Sequence, residues 1–363
     1  MSKRRGKGEG TLYQRPDGTW RAMVNLGWQD GKRVRRSVSG TTRREVVEKL
    51  REARRAMDAG LQPVSDRLTV AAYLEDWLEA TRDNVRPATW QRYRGIVRTH
   101  HISRIGRIPL SKLTPGDVER LLRDMEGSPR TRHHARAVLR TALARAVAHG
   151  LILRNPAALA SPPRVAHREI ESWDATQVRT FLDAIRGHRL EALFTVAVTT
   201  GLRQGELLGL RWSDVDLSGG TLTVRHALQR VEGRLQLVET KTAKSRRTVP
   251  LPELALRALR TVQEGPIIGT HLFTTPSGSP LYGTAVYRDF LDVIAAAGLP
   301  RIRFHSLRHT AASLLLAQGA HPRVVMEMLG HSTIALTMNT YSHVIPALER
   351  DAADRMNAIL IGG

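Results

Sequence analysis

Four short stretches hold the residues best suited to act on a phosphate. TTGLRQGELLGLRW places Arg203 at a helix entry, with Glu206 one turn further along and able to orient it. FHSLRHTAASLLL sets His305 and Arg308 three apart on one helical face, with Leu307, Ala311 and Leu314 as the buried stripe that fixes that face. HPRVVMEMLGHSTIALTMNTYSHV opens a helix at Pro322 and closes it at Gly330. It leaves His331 on the turn before a helix capped by Ser332 or Thr333, and Tyr341 stands about two and a half turns into that helix. Phosphoryl transfer without a metal needs cations around the phosphate, a nucleophile, and an acid for the leaving oxygen, and these stretches supply each. The chain has 0 cysteines, so any nucleophile is oxygen or nitrogen. Each residue taken singly also has an ordinary reading: a surface arginine, a hydrogen-bonding histidine, a packing tyrosine. His305 and His309 have the i,i+4 spacing of a metal pair, but the zinc-protease pattern requires a Glu directly after the first His, where Ser306 stands.

These residues need a scaffold. From Trp173 onward the pattern is mainly helical with a small antiparallel sheet. Helices are expected around 174–186 and 189–199 and from Leu202, then strands in TLTVRHAL, RLQLVET and RRTVPL with turns at Gly219-Gly220 and Glu232-Gly233. Further helices are expected at 283–297, 305–317, 322–329, 333–341 and 346–359. Upstream, residues 66–160 read as all helical. Four helices are signalled by Thr69, by Arg86-Pro87, by Thr114-Pro115 and by Ser128-Pro129, the last stopping at Gly150. Asn155-Pro156 breaks the periodicity, and an extended linker is expected near 159–172. At the N-terminus three short strands over 10–38, turning at Asp17-Gly18 and Asp30-Gly31, precede a helix with a Thr42/Glu45 capping box that ends near Gly60. The expected organisation is multidomain: a sheet with one helix over 1–60, a four-helix domain over 66–160, and a mainly α domain with a small sheet over 173–363.

Charge indicates the partner. The chain of 363 residues carries a formal net charge of +22, distributed as +9 over residues 1–60, +8 over 61–160 and +5 over the rest. That field attracts a polyanion and is strongest in the first half, where nucleic-acid binding is expected to concentrate. Arg15, Arg21, Arg33 and Arg35 on the strands, and Arg132 and Arg136 on the last helix of the second domain, are the candidate DNA contacts. No run of about 18 apolar residues suggests a membrane span, and the basic N-terminus lacks the apolar stretch of a secretory signal. A soluble, cytoplasmic protein is expected.

Arg203 in TGLRQGEL, His305 and Arg308 in HSLRHT, His331 in LGH and Tyr341 ten residues later resemble, in type and order, the tyrosine recombinase or phage integrase family. The resemblance assigns the family's lysine to Lys241 in ETKTAKSRRTVPL, on a hairpin between two strands, with Lys244 as the nearby rival. It implies that residues 66–160 bind a core DNA site and that residues 1–60 are similar to the arm-site-binding domain of lambda-like integrases. The activity implied is site-specific cleavage and rejoining of double-stranded DNA at attachment sites, integrating or excising a mobile element. Tyr341 would form a 3′-phosphotyrosine, Arg203 and Arg308 would hold the phosphate, and Lys241 would protonate the leaving 5′ oxygen. His305 and His331 would hydrogen-bond the phosphate and assist at the tyrosine. The resemblance implies no metal, ATP or other cofactor, a homotetramer on DNA, and accessory DNA-bending and excision factors acting in a bacterial host's nucleoid. The tail PALERDAADRMNAILIGG reads as an amphipathic helix with Leu348, Ala352, Met356 and Leu360 on one face, docking on a neighbouring subunit or on its own domain. A type IB topoisomerase and a non-catalytic DNA-binding protein are the competing readings.

Overall fold

The computed structural model describes residues 11–29, 32–58, 67–165, 171–239, 246–330, 333, 353–354, 356–357 and 359–361. The chain divides into two compact units, Met1–His167 and Arg168–Gly363, with the boundary inside the expected linker. The sheet and the helices expected as separate domains both fall in the first unit.

Strands Thr11–Gln14, Trp20–Gln29 and Lys32–Gly40 form an antiparallel sheet in sequence order, with a register shift between Asn25 and Trp28. The Asp17-Gly18 turn closes the first hairpin, Gly18 taking a φ of 80°. The Asp30-Gly31 turn lies outside the described residues. Helix Arg43–Asp58 packs on the middle strand, where Ala22 and Val46 are buried. The capping box at its start is shifted. Thr42 Oγ1 accepts from the Glu45 amide at 3.2 Å, while Glu45 Oε2 accepts from the Thr41 amide at 2.9 Å and not from that of Thr42.

Helices Val70–Thr81, Pro87–Ile96, Pro115–Asp124 and Pro129–Ala148 begin at the four signalled positions, with Thr69, Thr114 and Ser128 each accepting a backbone N–H as N-cap. Their apolar faces share one core that includes Leu74, Leu78, Leu122, Leu139 and Leu143. Polar anchors cross it. Tyr73 donates to the Ala142 carbonyl at 2.6 Å, Trp90 Nε1 to that of Leu78 at 2.9 Å, and the fully buried His101 pairs Nε2 with that of Ala135 at 3.1 Å. His101 belongs to a π-helical stretch, Val97–Ile102, that continues Pro87–Ile96 and that periodicity did not foretell. Asn155-Pro156 starts a helical turn, Pro156–Leu159, that runs up to the expected linker. Asn155 Oδ1 accepts from Ala157 and Ala158, and buried Ala157 and Ala160 join the core.

In the second unit helices Ala175–Ala184, Glu191–Thr200, Glu253–Glu264, Gly283–Ala296, Ser306–Ala317 and Pro322–Leu329 surround two small antiparallel sheets. Glu253–Glu264 was not expected; it buries Ala255, Leu256 and Leu259 at i, i+1 and i+4. TLTVRHAL was expected as one strand but divides at Arg225, whose Nη1 donates to Asp214 at 2.6 Å. Thr221–Val224 pairs with Val215–Asp216 and Arg247–Pro250, whereas His226–Val231 turns back on Arg234–Glu239 through Glu232-Gly233, both at positive φ. The strands on either side of Lys241 therefore belong to different sheets. The segment between them, which holds Lys241, lies outside the described residues.

Trp173, Phe181, Phe194, Phe290 and Phe304 form an aromatic cluster at the centre of this unit, with ring centroids 5.1–6.3 Å apart in the contacting pairs. Phe304 immediately precedes His305, and Trp173 donates its amide to Thr310 Oγ1 at 3.0 Å, so the cluster fixes the start of Ser306–Ala317. On that helix Leu307 and Ala311 are buried as expected. Leu314 is only partly buried and Leu316 takes its place in the core. Of the expected helices 333–341 and 346–359, helical backbone is described at 353–354, 356–357 and 359–361. Leu348 and Ala352 lie outside the described residues, while Met356 and Leu360 are exposed. Among the described residues no helix is long and apolar enough to cross a membrane.

Candidate active site

Helix Glu191–Thr200 ends on Gly201 in the left-handed region at φ 64°, which turns the chain so that buried Leu202 leads to Arg203 in extended conformation. Arg203 then starts the short helix Gln204–Leu208, and Glu206 reaches back to it. Glu206 Oε2 accepts from the Arg203 amide at 3.0 Å, and Oε1 accepts from Arg203 Nη1 at 2.7 Å. The expected orientation of Arg203 by Glu206 is present. The arginine side chain is 41% exposed and the carboxylate 5%.

His305 and Arg308 approach from the helix Ser306–Ala317. His305 is the N-cap and is exposed, while Arg308, 2% exposed, sends Nη1 to the Gly201 carbonyl at 2.9 Å. Arg308 thus ties its helix to the turn that delivers Arg203. Partial burial, and then the Arg308 and Arg203 guanidiniums, hold the His305 imidazole below its ordinary range, with Glu206 opposing them. That shift favours the neutral ring. His309 meets it edge-on at 5.2 Å between centroids and is pushed down to about 4 by burial, His305 and Arg308. No third carboxylate or imidazole completes a metal site with this pair among the described residues.

A residue that the sequence marks only as part of a strand also enters the site. Arg247, on Arg247–Pro250, is 6% exposed and donates Nη2 to Glu206 Oε2 at 2.8 Å. Its signal was the strand's alternation, which puts Arg247 on the inward face with buried Val249. Burial alone would raise the Glu206 pKa; the hydrogen bonds and charge of Arg247, followed by Arg203, outweigh it and hold the carboxyl below the usual range. Helix Pro322–Leu329 ends nearby on Gly330 at φ 67°, as expected from the sequence. Arg203 Nη2 donates to the Gly330 carbonyl at 3.2 Å.

Arg203, His305 and Arg308 are thus brought together. Lys241, its rival Lys244, His331 and Tyr341 lie outside the described residues. Their flanks are described: Arg246 pairs with Glu239 across the Lys241 segment at 3.2 Å, and Gly330 directly precedes His331. Of the candidate DNA contacts, Arg21 donates to Ser37 at 2.8 Å, Arg15 is half-buried beside the first turn, and Arg33 and Arg35 stand opposite Trp28 and Asn25 in the sheet register. Arg132 is half-buried on Pro129–Ala148. Arg136 is engaged within the protein, donating to the carbonyls of Ala160 at 2.7 Å and Ala158 at 3.2 Å.

The sequence profile of the Phage integrase family matches residues 171–347, and that of the phage integrase N-terminal SAM-like domain matches residues 69–125. The chain is 29% identical to a tyrosine recombinase XerC-like protein of Caldanaerobacter subterraneus subsp. tengcongensis, over 94% of this chain and 96% of the relative. It is 23% identical to the ICEBs1 integrase of Bacillus subtilis over 95% and 98%. Its fold is similar to the Tn1549 transposon integrase in complex with transposon right end DNA, with a TM-score of 0.70, 24% identity, and coverage of 81% of this chain and 100% of that one. It is also similar to a lambda integrase tetramer bound to a Holliday junction, with a TM-score of 0.58, 20% identity, and coverage of 89% and 95%.

Proposed function

From the premise that the chain belongs to the phage integrase family of tyrosine recombinases, we propose the roles of its residues in the site-specific breakage and rejoining of mobile-element DNA. Arg203 and Arg308 hold the non-bridging oxygens of the scissile phosphate, Arg203 from the exposed side and Arg308 from deeper in the fold. His305, neutral and at the rim, hydrogen-bonds the phosphate and relays protons. Tyr341 attacks phosphorus, forming a 3′-phosphotyrosine and expelling a 5′-hydroxyl, with Lys241 donating the proton to the leaving oxygen and His331 assisting. A 5′-hydroxyl from the partner duplex reverses the step and regenerates the tyrosine hydroxyl, so the phosphodiester bond energy is conserved. The observation that supports this reading is that Arg308, one turn after His305 on the same helix, donates to the Gly201 carbonyl at the turn that delivers Arg203, with Glu206 orienting Arg203.

The remaining assignments extend the same reading. Residues 66–160 bind the core of the attachment site, using Arg132, and residues 1–60 bind arm-type sites, using Arg15, Arg21, Arg33 and Arg35. A homotetramer assembles on two duplexes, with accessory bending and excision factors setting direction in the bacterial cytoplasm. The test is a nicked suicide substrate carrying the cognate core site, in EDTA. Wild-type protein should trap a covalent protein–DNA adduct and Tyr341→Phe none; equal trapping by Tyr341→Phe would refute the nucleophile.

A further inference from the structure

One carboxylate lies between two guanidiniums. Glu206 accepts from Arg203 on its open side and from Arg247 on its buried side, with Arg247 Nη1 a further 3.4 Å from Oε1. The same two arginines hold the end of helix Pro322–Leu329. Arg247 Nε donates to the Met328 carbonyl at 2.7 Å, and Arg203 Nη2 to that of Gly330. Gly330 is fitted to this arrangement, because a Cβ there would stand 3.0 Å from Arg247 Nη1.

Charge balance gives the arrangement its consequence. A single carboxylate bound to Arg203 would cancel the positive charge that a phosphate needs, and in a poorly solvated position that cancellation is strong. With Arg247 present the three groups sum to one positive charge, and the exposed member is Arg203. Geometry adds to this: a guanidinium fork reaches the carboxylate and the helix-end carbonyl at once, which a lysine's point charge does not. We propose that Arg247 is a positioning residue for DNA cleavage. It satisfies Glu206 from within, so that Arg203 is oriented without being neutralised, and it fixes the helix end from which His331 departs.

This inference rests on the reading of Arg203 as a phosphate ligand, and the experiment separates the two. Single-turnover adduct formation on the nicked suicide substrate, at saturating DNA, is compared for wild type, Arg203→Ala, Arg247→Met, Arg247→Lys, Glu206→Gln and Arg247→Met/Glu206→Gln. Gel-shift affinity and thermal melting are measured alongside. Arg247→Met should lose on the order of 10²-fold in the cleavage rate, with affinity within about twofold of wild type. The double variant should recover at least about tenfold over Arg247→Met, because removing the carboxylate charge releases Arg203. A fold defect alone would lower affinity and rate together. If Arg247→Met does not fold, Arg247→Lys carries the test: its melting point should stay within a few degrees and its rate fall about tenfold, since charge is kept and the fork is lost. Cleavage by the folded Arg247 variant within threefold of wild type, or a double variant no faster than Arg247→Met, would overturn the inference while leaving Arg203 in place. Full activity of Arg203→Ala would instead remove the reading on which it stands.

Discussion

Gly201→Ala should injure both the fold and the site, and the two parts of its cost are separable. At φ 64° an L-residue is strained by about 1–2 kcal/mol. The new Cβ would also stand 2.6 Å from Leu329 Cδ2, displacing that leucine from its rotamer at about 1 kcal/mol more. The sum is about 2–3 kcal/mol, a large share of the stability of an ordinary domain. Leu329→Ala, which empties a fully buried position, should cost about 2–5 kcal/mol by itself. In the double variant the added methyl faces the vacated space, so the combined cost should fall short of the sum by about 1 kcal/mol while the backbone strain remains. Urea unfolding measures the totals, and amide exchange across helix Glu191–Thr200 localises them. Because the Gly201 carbonyl accepts from Arg308, cleavage by Gly201→Ala should drop and recover partly in the double variant. Costs additive within about 0.3–0.5 kcal/mol would refute the proposed contact between Gly201 and Leu329.

Acid should loosen the helical part of the first unit through His101. Burial takes its pKa from 6.5 to about 4, so folding favours the neutral ring; its contribution is complete above pH 6.5 and is lost as pH falls toward 4. Between pH 7 and pH 5 amide exchange in Pro129–Ala148 should report a loss on the order of 2 kcal/mol, and His101→Phe should flatten that dependence. Arg136→Ala should cost about 1–2 kcal/mol in the same helix while leaving the salt dependence of DNA binding unchanged, because its donors serve Ala158 and Ala160. A salt slope reduced by about one would show that Arg136 contacts a phosphate instead.

Local rules located what local forces decide. Thr69, Thr114 and Ser128 cap the helices they were expected to start, Gly330 ends the helix it was expected to end, and Glu206 orients Arg203 one turn away. The features beyond the reach of local rules depend on partners distant in sequence. Arg225 divides a strand because Asp214 awaits it on another element. Arg247 is buried because a carboxylate 41 residues earlier and a helix end 81 residues later both accept from it. Before those partners are known, an arginine beside Arg246 near a strand start looks like solvated charge. Pro156 looks like a break in the sequence because the Asn155 cap and the apolar seat for Ala157 and Ala160 only become apparent once the helices have packed.

The widened coil at Val97–Ile102 bears on how this chain should be compared with others. A π turn takes up roughly one residue more than the α turn it replaces, so a relative shorter by a single residue here could wind a regular helix instead. Each residue removed turns the upstream segment by about 100° relative to the downstream one. Trp90 would leave the Leu78 carbonyl, and His101 and Val97 would no longer both face inward, unless the deletion falls inside the stretch itself. An aligned gap is therefore tolerable within these six residues and costly a turn to either side. Length variation among relatives should collect there.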